Sequence, residues 1–82
     1  MKVFITPKAE KQLTKLPKSE QLKAGKKLDL LKKEPFIGKK LLGDLEGFRA
    51  IRYWPYRIIY HIDFKNKEIW IDSVIHRQSA YS

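Results

Sequence analysis

Arg57, Arg77, His61, His76 and Tyr81 are the side chains whose types and placement could do chemistry in this sequence. Arginine carries a planar fork that grips phosphate through paired hydrogen bonds, and histidine exchanges protons near neutral pH. Together they suit RNA cleavage without a metal. There the ribose 2′-hydroxyl is itself the nucleophile. The protein has to supply only in-line geometry, cations beside the developing phosphorane charge, and a proton donor and acceptor. Arg57 and Arg77 are the candidate cations, and His61, His76 and Tyr81 the candidate proton-handling groups. Ordinary surface arginines, solvated histidines and a packed tyrosine ring fit the same residues, so both readings stay open at this level.

Other chemistries lack their parts. There is no glycine-rich phosphate loop, no His-Glu-x-x-His and no Gly-x-Ser-x-Gly elbow. The absence of cysteine removes disulfide scaffolds, thiolate zinc sites and cysteine nucleophiles together. Two histidines and nine carboxylates without metal-ligand spacing lead us to expect no metal and no cofactor.

Charge is the dominant compositional feature, with 18 Lys and Arg against 9 Asp and Glu, a net of +9. Residues 1–40 hold twelve lysines, no arginine and four acids, whereas all four arginines (Arg49, Arg52, Arg57, Arg77) lie in residues 41–82 among most of the aromatics. Such an excess in a small domain implies an anionic partner, nucleic acid first and an acidic protein second. The 82 residues make one domain, 1–82, with a single core, and 43% hydrophobic residues suffice to fill it. Val3-Phe4-Ile5 is the only apolar opening, too short for a signal peptide or membrane span. A cytoplasmic protein that does not engage a membrane is the expectation.

The elements that must position these residues follow from periodicity. Lys2–Ile5 reads as a strand, and Thr6-Pro7 supplies an N-cap and a first helical residue. Ala9, Leu13 and Leu16 recur at helical spacing, Pro17 interrupts, and Ser19 is placed to cap a second helix carrying Leu22, Leu28 and Leu31. Glu34-Pro35 closes that helix, and Phe36 to Glu46 reads as a loop. From Phe48 the pattern alternates. Ile51 and Tyr53, then Tyr56, Ile58, Tyr60, Ile62 and Phe64, then Ile69, Ile71 and Ile75 form buried faces, with turns at Pro55 and Lys65-Asn66-Lys67. The predicted fold is therefore α+β, in the order β-α-α-β-β-β. Both helices pack on one face of an antiparallel sheet, and the other face stays open. That open face should carry Arg52, Arg57, His61, Trp54 and Trp70, basic forks among aromatic planes, a surface suited to single-stranded nucleic acid.

The segments Gly47 to Tyr60 and Ser73 to Tyr81 resemble the RelE/ParE superfamily of type II toxins. The shared pattern is Arg52, then Tyr56-Arg57-Ile58-Ile59-Tyr60, then His76-Arg77-Gln78-Ser79-Ala80-Tyr81, and Lys40-Leu41-Leu42-Gly43 is similar to the loop before the arginine strand. The resemblance covers nearly the whole chain and implies the same helix-on-sheet fold. It also implies a cognate antitoxin as partner. RelE-like members cleave mRNA in the ribosomal A site without metal, so ribosome and mRNA are implied partners; ParE-like members instead inhibit DNA gyrase. On the RelE-like pattern Arg57 and Arg77 stabilise the phosphate and Tyr81 orients the substrate. Where that pattern places two proton-handling lysines stand Phe48 and Ala50, and Arg49 is one residue out of phase, on the opposite sheet face. His61, His76 or Arg52 would then have to compensate. Arg49, Arg52, Trp54, Trp70 and Lys40 complete the candidate RNA-binding set. The leading expectation is a RelE-like mRNA endonuclease. Its alternatives are a ParE-like gyrase inhibitor and a non-catalytic binder of RNA or antitoxin.

Overall fold

The alternation that begins at Phe48 builds the centre of a sheet, and the rest of the chain is arranged to cover one side of it. The structure, a computed structural model describing residues 1–76, contains eight elements. They are β1 (Lys2–Ile5), α1 (Pro7–Thr14), α2 (Lys18–Lys33), β2 (Lys39–Lys40), a 3₁₀ turn (Gly43–Leu45), β3 (Phe48–Tyr53), β4 (Tyr56–Asp63) and β5 (Glu68–His76). The sheet order is β1-β5-β4-β3-β2. β1 runs parallel to β5, and every other pairing is antiparallel. Two helices on one face of a largely antiparallel sheet is the expected architecture. The segment Phe36 to Glu46 is more than the expected loop, because Lys39 and Lys40 pair with Ala50 and Arg49 as a short edge strand.

Both helices bury the same face. Ala9, Ala24 and Leu31 meet Ile51, Tyr53, Ile58, Tyr60, Ile69, Ile71 and Val74, with Leu13, Leu16, Leu28 and Leu30 packed around them. Tyr60, Leu31, Ile58, Ile69 and Ile71 are fully buried, each contributing about 1.5–3 kcal/mol of transfer free energy. Leu22, expected in this stripe, points to solvent at 71% exposure, and Phe64, expected on the buried face, lies past the end of β4 and stacks on Phe36 instead. Tyr60 also fastens the connection from α2 to β2. Its hydroxyl donates to Pro35 O at 2.9 Å and accepts from Gly38 N at 2.9 Å. A Cβ on Gly38 would collide with that hydroxyl and ring, so the close approach requires glycine there.

The first helix is pinned to the last strand. Thr6 Oγ1 accepts from Ala9 N at 3.2 Å as the α1 N-cap and donates to Ile71 O at 2.9 Å. Pro17, not Ser19, stands at the N-cap of α2 and offers no side-chain cap; Gln21 Nε2 instead donates to Leu16 O at 2.9 Å across the junction. β1 ends opposite Ile71, which leaves the next stretch of β5 without a strand on that side. Gln12 Oε1 fills part of the gap by accepting from Val74 N at 2.6 Å. A β-bulge falls at this same place. Tyr60 pairs with Ile71 and Ile59 with Ser73, so Asp72 is the extra residue.

That bulge corrects the expected register of β5. Val74, not Ile75, joins the core, and Ile75 moves beside Arg57 on the open face. His76 moves to the helix-covered side opposite Tyr56, with the two rings edge to face at 5.4 Å. One inserted residue reverses the faces of everything after it.

Candidate functional site on the open sheet face

Three rows of side chains cross the open face. In the first, Arg52 and Arg57 stand directly opposite each other on β3 and β4, with Ile75 beyond Arg57. In the second, Lys39, Ala50, Ile59 and Ser73 lie in line, and Ile59 and Ser73 are buried. In the third, Phe48, His61, Trp70 and Phe4 follow one another across four strands.

The first row concentrates charge. Like charges directly opposite each other on one sheet face repel, unless an anion lies between them. Arg52 and Arg57 also line a groove of about 720 Å³ with Lys39, Lys40, Leu41 and Leu42. Arginine forks and lysine ammonium groups around a shallow apolar floor can hold a phosphodiester backbone or a carboxylate-rich peptide. Lys39 is a residue that sequence reasoning missed. Its strand is two residues long, and only the pairing with Ala50 shows that it shares a face with Arg52.

The third row concentrates rings. Phe4 and Trp70 stack with centroids 5.0 Å apart, and Phe48 meets His61 edge-on at 5.6 Å. Trp70 Nε1 donates to Glu68 Oε1 at 3.2 Å. His61 Nδ1 lies 2.6 Å from Asp72 Oδ2. Asp72 is a second residue that the sequence did not single out. It follows the covered-face Ile71, so alternation puts its side chain on this face, diagonally across from His61.

The structure brings together Arg52, Arg57, His61 and Trp70 among the expected residues and sends others elsewhere. Arg49 lies on the opposite face, as its phase implies, and is used as a clamp. Its Nη1 donates to Gly38 O at 2.9 Å and Phe36 O at 3.2 Å, and its guanidinium sits 5.2 Å from the Phe36 ring centre. Lys40 lies at the exposed sheet edge, in register with Arg49. Trp54, expected on the open face, lies in the β3–β4 turn and lines a cleft with Lys23, Lys26, Lys27 and Leu30 of α2. Arg77 and Tyr81 lie outside the described residues.

The tyrosine hydroxyls of the other face have a different role. Burial pushes Tyr53 up to about 12, with the nearby Tyr56 and Glu20 adding to the rise, and burial likewise raises Tyr60. Both are core groups kept neutral by desolvation. Among the described residues no cluster of three or more His, Asp or Glu side chains is placed to hold a metal ion. No helix among them is long and apolar enough to cross a membrane.

Known proteins resemble this arrangement over nearly its full length. The toxin–antitoxin complex RelBE2 of Mycobacterium tuberculosis contains a chain of 32% identity and TM-score 0.85, matched over 93% of this chain and 96% of that one. The archaeal RelE–RelB complex of Pyrococcus horikoshii matches at 30% identity and TM-score 0.75, over 93% of both chains. The intact Escherichia coli RelBE complex shares the fold at 21% identity and TM-score 0.77, over 89% of this chain and 92% of that one. No curated protein sequence matches the chain. The sequence model of the ParE toxin of the type II toxin–antitoxin system parDE matches residues 3–81. The chain therefore belongs to that toxin family, within the RelE/ParE superfamily.

Proposed function

We propose that this toxin is a metal-independent, ribosome-dependent mRNA endonuclease of the RelE type. The observation that carries the reading is the Arg52–Arg57 pair facing across β3 and β4, beside the Lys39 and Lys40 groove. Two arginine forks at one point on an open face suit a phosphate whose charge grows in the transition state. The two similar complexes at 30% identity or more are both RelE–RelB assemblies by name, which favours the same branch. Among the described residues His61 is the histidine on this face, four residues along β4 from Arg57. Arg77 and Tyr81 are proposed to complete the site.

The partner that holds such a toxin inactive is an antitoxin. We assign its contact to the basic groove, where an acidic segment would neutralise Arg52, Arg57, Lys39 and Lys40. Substrate and antitoxin would then compete for one surface.

One observation favours the ParE-like alternative. Phe48 and Ala50 occupy the open-face positions of β3 where the RelE pattern has lysines, and gyrase inhibition needs no acid–base set. Inducing the toxin alone while following mRNA integrity and plasmid supercoiling side by side separates the two. Fragmented mRNA with normal supercoiling is the expected result. Intact mRNA with relaxed or broken DNA would transfer the protein to the gyrase branch.

A further inference from the structure

We infer that His61 and Asp72 form a catalytic dyad, in which His61 is the base that takes the 2′-hydroxyl proton and Asp72 is its positioning residue. This rests on the endonuclease reading and adds to it the proton acceptor that Phe48 and Ala50 cannot supply.

The geometry is specific. His61 Nδ1 and Asp72 Oδ2 are 2.6 Å apart, and both side chains are partly exposed, at 37% and 24%. A carboxylate accepts but does not donate, so it fixes the neutral ring with its proton on Nδ1. Nε2 is left with its lone pair available to an incoming hydroxyl. Phe48 restrains the ring on one side by its edge contact, and Trp70 stands opposite on β5. Asp72, the extra residue at the β5 bulge, follows the covered-face Ile71 and so alternates onto the open face, diagonally across from His61. Thr6 holds that bulge in place through its hydroxyl on Ile71 O.

The charged and titratable groups facing His61 are few. From β5 they are Asp72 and, diagonally, Glu68, which is engaged by Trp70 Nε1. From β4 itself they are Asp63, two residues on and bound to Asn66, and Arg57, four residues back. β3 contributes Phe48 and Ala50, neither of them titratable. Four strand residues span ~13 Å between Cα atoms, a gap that the long Arg57 side chain and the His61 ring narrow from both ends. A phosphate bound by Arg57 would meet the base from the same face of β4.

The step balances without a metal. The 2′-hydroxyl proton passes to Nε2, the O2′–P bond forms, and the P–O5′ bond breaks. The leaving 5′-oxygen takes a proton from water, and the imidazolium returns its proton to the hydroxide left behind. The products are a 2′,3′-cyclic phosphate and a 5′-hydroxyl.

Single-turnover cleavage on ribosomes carrying a defined A-site codon tests this. His61→Ala should lower the rate by ~10²-fold or more with ribosome binding unchanged, flatten the pH–rate profile relative to the unaltered protein, and regain activity with added imidazole. Asp72→Asn should lower the rate less and change the nitrogen NMR signature of the His61 tautomer, which a merely structural aspartate would leave alone. If His61→Ala proves unstable, Asp72→Asn decides alone. An unaltered tautomer and rate in that variant overturn the dyad. Full cleavage by a folded His61→Ala protein removes the dyad and leaves the endonuclease reading standing. An unaltered protein that does not cleave removes the endonuclease reading, and the dyad's role with it.

Discussion

On the helix-covered face Ile58 is fully buried beneath the two helices, whereas one residue earlier Arg57 stands opposite Arg52 on the open face. The two faces of β4 are built from the same eight residues but obey different constraints. The covered face is filled by interlocking apolar side chains, and the Tyr60 hydroxyl there is both donor and acceptor. The open face holds like charges opposite each other and a histidine ring with one nitrogen committed to Asp72. A sheet whose core lies on one side can carry charge and rings on the other without loss of packing. Stability should therefore depend on one set of alternate residues and activity on the other.

The largest separation should come from adjacent substitutions. Ile58→Ala creates a cavity beneath the helices and should cost about 2–4 kcal/mol, read as a fall in the denaturation midpoint. A loss below half a kcal/mol would mean that this position is not core. Arg57→Ala should leave that midpoint nearly unchanged yet depress cleavage by about 10²-fold, a transition-state loss of about 2.7 kcal/mol. Arg57→Lys should restore only part, because an ammonium cannot reproduce the fork. Should Arg57→Ala cleave normally, the open face would have to be reassigned to a role without phosphate chemistry.

A smaller effect belongs to the covered face alone. Tyr53 and Tyr60 are kept neutral by burial, Tyr53 to about 12. In the unfolded chain both ionise near the ordinary tyrosine value of about 10. Their folded pKa is raised, so the stability they contribute is full below pH 10. As pH rises the unfolded state loses protons first, and stability falls through the window from 10 to about 12. Denaturation midpoints measured from pH 8 to 12 should decline above 10, and less steeply in Tyr53→Phe.

The two faces also differ in how far they could be read from sequence. The covered face was legible because Tyr56, Ile58, Tyr60 and Ile62 alternate without a break and the helices carry matching leucines. Arg52, Arg57, His61 and Trp70 followed from the same phase. The placement of Val74, Ile75 and His76 did not, because Val74-Ile75 offers an apolar residue in either phase and so conceals the bulge. Lys39 was hidden for another reason. A two-residue strand of lysines has no pattern of its own, and its place is set by partners eleven and nine residues away, Ala50 and Arg49. Trp54 departs from the alternation because β3 ends at Tyr53. Local periodicity determines a face only while the ladder stays regular, and here the irregular places fall around the candidate site.

The smallest expected effect probes the arginine pair directly. Arg52 and Arg57 face each other in register, and like charges so placed destabilise a sheet by a few tenths of a kcal/mol up to about 1. Arg52→Gln keeps length and hydrogen-bonding capacity while removing one charge. It should raise the denaturation midpoint slightly at low salt. The gain should shrink toward zero as ionic strength rises, because the exposed pair is screened within a Debye length of about 8 Å at 0.15 M. The same variant should weaken single-stranded RNA binding and flatten its salt dependence, since one fewer counterion is displaced. These two changes have opposite signs, and a generally disruptive substitution cannot produce both. If Arg52→Gln instead lowers stability at every salt concentration, the arginine is engaged within the protein, and the open face is less dependent on a ligand than its charges suggest.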